Sequence, residues 1–210
     1  AAVLNLHPAH KLPPGVQQNN FKLLAELNEQ RRQFYPLENE LEARIRNYEL
    51  AARMQQSAEQ ILDLSGETES IRKLYGLDNP TTENYGTRCL MARRLVSLGV
   101  NMVQVNLGNM GTWDLHGNAF PLARDFLFPP TDLAISALFD DLAESGQLEE
   151  TLVVIAGEFG RTPRIFNGAT SVYKTVGRGH WGPCQTVMIG GGGVAGGRVI
   201  GSSDKSGAYP

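Results

Sequence analysis

The stretch that most constrains this chain is Thr151 to Thr162, TLVVIAGEFGRT. Leu152 to Ala156 is an unbroken apolar run, rich in β-branched residues, that stops at Gly157. Such a run suits a central strand buried on both faces. The loop after it carries Glu158, Gly160, Arg161 and Arg164. Sites in open α/β sheets form where loops leave the carboxyl ends of strands. A carboxylate and two arginines there are candidates for a metal or oxyanion site, or for a structural salt bridge.

The rest of the carboxyl half repeats this pattern. Val100 to Leu107 alternates like a strand, and a loop with Trp113-Asp114-Leu115-His116-Gly117-Asn118 follows. Pro129 and Pro130 precede a helix expected over Asp132 to Ser145, stopped by Gly146. Strand, helix and strand have the length of a right-handed parallel crossover. Cys184 to Ile189 reads as a third strand and Arg198 to Ile200 as a fourth. The glycine run Gly190 to Gly193 lacks the Lys-Ser/Thr of a phosphate loop and opens no helix, so it reads as a close-packed turn.

The amino half is helical. Residues 1 to 18 are Pro-rich, and the prolines around His7 and His10 argue against a helical metal site there. A helix from about Asn19 to Phe34 carries Phe21, Leu24 and Leu27 on one face. Pro36 separates it from a long amphipathic helix over 37–64, with Leu37, Leu41, Ile45, Tyr48 and Ala52 recurring at helical spacing. The two read as a hairpin. Shorter helices are expected over Glu67–Tyr75 and from Thr81 or Thr82 to Gly99, with Cys89 packed in the core. The expected organisation is therefore a helical region over 1–99, not an independent domain, and an α/β portion over 100–210.

Composition excludes several classes. With 210 residues and a formal charge of -3, nothing points to nucleic acid or a membrane surface. No apolar run can span a bilayer. The two cysteines, Cys89 and Cys184, form neither a zinc ribbon nor a disulfide framework. The chain starts without Met and ends at GAYP, as expected of a piece of a longer protein.

Four ligand-type side chains stand in loops beside the strands: Asp114, His116, Glu158 and His180. Parallel strands would bring the first three to one sheet edge. His180, in GRGHWGPC, joins them if its strand runs antiparallel. Carboxylate with imidazole suits zinc, manganese or iron. Each residue alone also has a structural reading: Asp114 capping a turn, His116 packed under Trp113, His180 stacked on Trp181.

In order, WDLHGN, DLAESGQLEETLVVIAGEFGRTPRI, GRGHWGPC and GGGGVAGGRVIGSSDKSGAYP resemble the domain-of-unknown-function family 1501. ELEARIRNYELAARMQ, LYGLD and CLMARRLVSLGVNMVQV extend the resemblance upstream. That family is described as sulfatase-like, within the alkaline-phosphatase superfamily. The resemblance implies a partial alkaline-phosphatase-like fold, a mostly parallel sheet with flanking helices. It implies export to the periplasm or outside the cell. It also implies a divalent metal cofactor, zinc, manganese or calcium. By position, Asp114 and His116 resemble the family's D-x-H pair, and His180 the late superfamily metal histidine. Glu158 stands where a metal Asp is usual, and Phe159 where a His usually follows it. Gly179 replaces the Asp of the usual GRDHW.

These readings lead to two expectations. The first is a metal-dependent hydrolase of sulfate or phosphate esters. Its metal ligands would be Asp114, His116, Glu158 and His180, with Glu158 as ligand or base and Arg161 as an anion clamp. The second is a non-catalytic member that binds a glycan or a protein partner. The expected partners are a small-molecule or glycan ester and a second copy of the chain.

Overall fold

Thr68 opens the better-packed part of the molecule. Its Oγ1 accepts the Ile71 amide at 3.3 Å and starts helix α3, Glu69–Leu74. The computed structural model describes residues 12, 13, 15–35, 39–109, 111–167 and 171–210, with backbone alone for 39 and 53–60. His7, His10 and Leu37 lie outside the described residues. The earlier helices are α1 (Val16–Phe34) and α2 (Asn39–Leu62). After α3 come α4 (Glu83–Ser97), α5 (Ala119–Leu122) and α6 (Phe128–Glu144). The strands are β1 (Val153–Ile155), β2 (Gly160–Arg161), β3 (His180–Trp181) and β4 (Met188–Gly190).

The chain divides into two compact units, Ala1–Gly66 and Glu67–Pro210. In the second, α4 packs on α6. Tyr85, Cys89 and Ala92 recur at helical spacing on α4, and Ala134, Ala137 and Leu142 face inward from α6. Tyr75, Leu90 and Leu142 are the largest wholly buried side chains. Gly86 lets α4 approach the turn after α3, because a Cβ there would collide with the Tyr75 carbonyl. Asp141 is buried on α6, where its Oδ2 accepts the Tyr75 hydroxyl at 2.9 Å and Arg93 Nε at 2.7 Å. Glu67 pairs with Arg94 at 2.8 Å and approaches Arg93 at 3.7 Å. Gly99 ends this segment in the left-handed region, at φ 82°.

Helix α6 starts earlier than Asp132, with prolines in its first turn. Proline lacks the N–H that would continue an α ladder from the preceding residues. A π turn over Ala123–Leu127 takes up the mismatch, with the Phe128 amide reaching back five residues to the Ala123 carbonyl.

The mostly parallel sheet expected from the sequence is not what forms. Among the described residues there are two two-stranded sheets, both antiparallel. β1 pairs with β4, with Val154 opposite Ile189, and β2 pairs with β3, with Arg161 opposite His180. Residues 100–107 form no strand, so the parallel crossover and the alkaline-phosphatase-like sheet fall together. The alternation that suggested a strand is real: Val103, Val105 and Leu107 are half-buried, while Met102, Gln104 and Asn106 are exposed. It records one side lying on the protein surface. Instead of a ladder, Arg88 and the Trp113 indole, at 2.6 Å, hold the Asn106 and Leu107 carbonyls. Nor is β1 buried on both faces: Val154 is 55% exposed. Arg198 to Ile200 makes no strand, and the turn after β4 is close-packed at Gly190 to Gly192 but open at Gly193.

In the first unit, Arg32 of α1 pairs with Glu29 at 3.2 Å and approaches Glu49 of α2 at 3.7 Å. Ile45 is buried and Leu41 half-buried, but Tyr48, Leu24 and Leu27 are exposed. No described helix is long and apolar enough to cross a membrane.

Candidate metal centre

Three segments lie side by side to build the site. The middle one, 177–181, is held on one flank by 160–166. Gly177 and Phe166 exchange backbone hydrogen bonds at 3.0 and 3.1 Å, and the Thr162 amide donates to the Gly179 carbonyl at 3.0 Å. On the other flank runs the loop after Trp113, where Arg178 donates its amide to the Leu115 carbonyl at 3.4 Å. A Cβ on Gly177 would collide with the His116 carbonyl, so a residue without a side chain lets these backbones meet.

Asn118 locks the first loop. It is the one described non-glycine residue with positive φ, 52°, a conformation that Asn tolerates. Its Oδ1 accepts the amides of Lys174 and Thr175, both at 2.9 Å. Its own amide donates to the Thr175 carbonyl at 3.0 Å. Nothing in the spacing of WDLHGN exposes this role, although Asn directly after Gly in a loop is a signal for a left-handed turn.

On this frame, side chains from positions far apart in sequence converge. Asp114 Oδ1 lies 2.7 Å from His180 Nε2 and 3.1 Å from His116 Nε2. The two imidazole nitrogens are 3.1 Å apart. Ligand atoms of Asp114, His116 and His180 all lie within 4.8 Å of one another. Around a tetrahedral ion with bonds of about 2.0–2.1 Å, donor atoms stand about 3.3 Å apart. A few tenths of an ångström of opening would therefore admit one.

Arg161 does not stand free as an anion clamp. Its Nη2 donates to Asp114 Oδ1 at 2.6 Å and to the Trp113 carbonyl at 2.8 Å, and its Nη1 to the Arg178 carbonyl at 3.3 Å. It braces the carboxylate. The hydrogen bond from His180, then that from Arg161 and the charges of His116 and Arg161, lower the Asp114 pKa to about 2. The carboxylate is thus ionised across any neutral range.

Glu158 is not in the gathered triad. It is exposed in the bend between β1 and β2 and makes no side-chain hydrogen bond or ion pair among the described residues. Its neighbour Phe159 reaches the site, with its ring 4.5 Å from the His180 ring. Trp181 points to the other side, donating its indole N–H to the Ala208 carbonyl at 2.6 Å. His180 therefore packs, with tilted rings, against Phe159 and His116, and does not stack on Trp181. His180 does arrive on an antiparallel strand, but its partner is β2 and the site sits on this small pair, not at a parallel sheet's edge.

No curated protein and no solved structure matches the chain. One family model matches residues 1–210, that of a protein of unknown function, DUF1501, and the chain belongs to that family.

Proposed function

We propose that this DUF1501 chain binds one divalent metal ion through Asp114, His116 and His180, and that the intact protein uses the ion to hydrolyse a sulfate or phosphate ester. The supporting observation is the convergence of one carboxylate and two imidazoles from two segments more than sixty residues apart onto one point. Calcium takes six to eight oxygen ligands. Two nitrogens among three donors fit zinc, manganese or iron better. Three protein ligands leave a position open, as catalytic sites do. Bound there, the ion supplies Lewis acidity and a water of lowered pKa. The chain's own part is to keep Asp114 ionised, through Arg161 and, before the ion is bound, through His180 as well, and to fix both imidazoles by the 115–119 and 176–181 pairing.

Glu158 is the nearest carboxylate in sequence to a residue lining the site, and we assign it as general base, not ligand. Hydrolysis adds water across the sulfur–oxygen or phosphorus–oxygen bond and releases an alcohol with inorganic sulfate or phosphate. The test uses the full-length protein with aryl sulfate and aryl phosphate. His116→Ala and His180→Ala should abolish metal uptake and hydrolysis together. Glu158→Gln should lower turnover by about 10²–10⁴ while leaving metal affinity in place. Hydrolysis retained in either histidine variant would refute the assignment.

A further inference from the structure

Arg161 is hydrogen-bonded through both of its Nη atoms, but a second arginine, two residues before His180, is not. Arg178 makes no side-chain hydrogen bond or ion pair among the described residues, and its Nε is shut off from solvent without a partner. Its charge rests over the Phe120 ring, 6.0 Å from the centroid. Cations taken out of water are ordinarily paired with an anion or hydrogen-bonded, because desolvation without compensation is costly. Arg178 precedes His180 by two residues in the extended segment 177–181. Alternation along such a segment puts the two side chains on the same face. Arg161, the partner of His180 across the β2–β3 pair, shares that face. One short segment thus presents a candidate metal ligand and, two residues away, a half-buried guanidinium whose Nε has no partner.

We propose that Arg178, not Arg161, is the anion-binding arm of this site, and that the group it takes is a tetrahedral oxyanion, phosphoryl or sulfuryl, held between the guanidinium and the metal. This rests on the metal reading given above. Guanidinium offers paired donors that match two oxygens of such a group. The Phe120 ring gives the guanidinium a cation–π neighbour on one side, 6.0 Å from the centroid. The backbone carbonyl of Arg178 accepts from Arg161, which fixes the strand at the root of the side chain. The residue is thus a substrate-positioning arm on the same rigid segment as a ligand.

The test is calorimetric titration of inorganic phosphate and, separately, inorganic sulfate and acetate into zinc-loaded protein. Zinc affinity is measured first for wild type, Arg178→Gln and Arg178→Lys. The expected result is phosphate or sulfate binding in wild type, stronger than acetate. Arg178→Gln should weaken it about tenfold or more, and Arg178→Lys less. Zinc affinity should move by no more than about threefold, since Arg178 touches no ligand atom. Phosphate and sulfate share a tetrahedral shape but differ in protonation near neutral pH, where phosphate keeps a proton to donate and sulfate has none, so whichever binds tighter names the group. Equal oxyanion binding by wild type and Arg178→Gln would overturn the proposal, as would a wild type that binds none of the three anions. If wild type binds no zinc, the metal reading fails by itself. The same anion titrations on metal-free protein, judged by the same criteria, then decide Arg178.

Discussion

A single oxygen, Asp114 Oδ1, stands within hydrogen-bonding distance of His116, His180 and Arg161. Its ionisation follows from those neighbours. A carboxyl whose folded pKa is depressed contributes stability above its ordinary pKa, and loses it as pH falls through the folded value. For Asp114 the window lies between its ordinary 3.8 and about 2. Its carboxyl carbon, followed by NMR in metal-free protein, should therefore titrate near pH 2. Removing the brace with Arg161→Gln should move that midpoint upward. The same change should weaken metal binding about 10–100-fold, as loss of a partner to a metal ligand typically does. A midpoint near 4 in wild type would mean the carboxylate is not held as described. Asp114, His116 and His180 were legible in the sequence because carboxylate and imidazole announce their chemistry wherever they stand. Arg161 was legible as a site residue but not in its role. A guanidinium can clamp a substrate or brace a ligand, and only the position of Asp114 decides which. Glu158 was drawn in by the argument from parallel strands and by the resemblance, and it lies outside the gathered triad.

Helix α6 meets α3 and α4 through one buried carboxylate. Asp141 receives Tyr75 and Arg93 together, and burial followed by the Asp141 charge raises the Tyr75 pKa well above the ordinary tyrosine range. Replacing Asp141 by Ala strands both donors. The expected loss lies toward the lower end of roughly 3–5 kcal/mol, because Arg93 keeps Glu67 nearby. Urea denaturation checks it, and a loss below about 1 kcal/mol would show the network to be incidental. The helices were readable in the sequence because they carry local signals: a 3.6-residue period, with Gly99 and Gly146 as left-handed stops. The strands were not. β1 and β4 are three residues each, and β2 and β3 are two each. Their pairing depends on partners far along the chain. An apolar run such as Leu152 to Ala156 states that something is buried or apolar, not which neighbour lies beside it or in which direction.

At the scale of the whole chain, every residue of the candidate centre lies in the unit Glu67–Pro210, with the α4–α6 core. The centre's support is short-range pairing between 113–119, 160–166 and 176–181, not the edge of a large sheet. Such a site is set by close backbone approach at Gly177 and by the Asn118 latch. The proposal places a metal ion in this small arrangement. Cobalt(II) titration of the purified chain at neutral pH tests it most directly, because the visible spectrum reports both stoichiometry and ligand geometry. Saturation is expected at one equivalent per chain with a spectrum of nitrogen and oxygen ligation, displacement by zinc, and loss of that spectrum in His180→Ala. A wild-type chain with no cobalt spectrum, or a His180→Ala variant with the wild-type one, would contradict it.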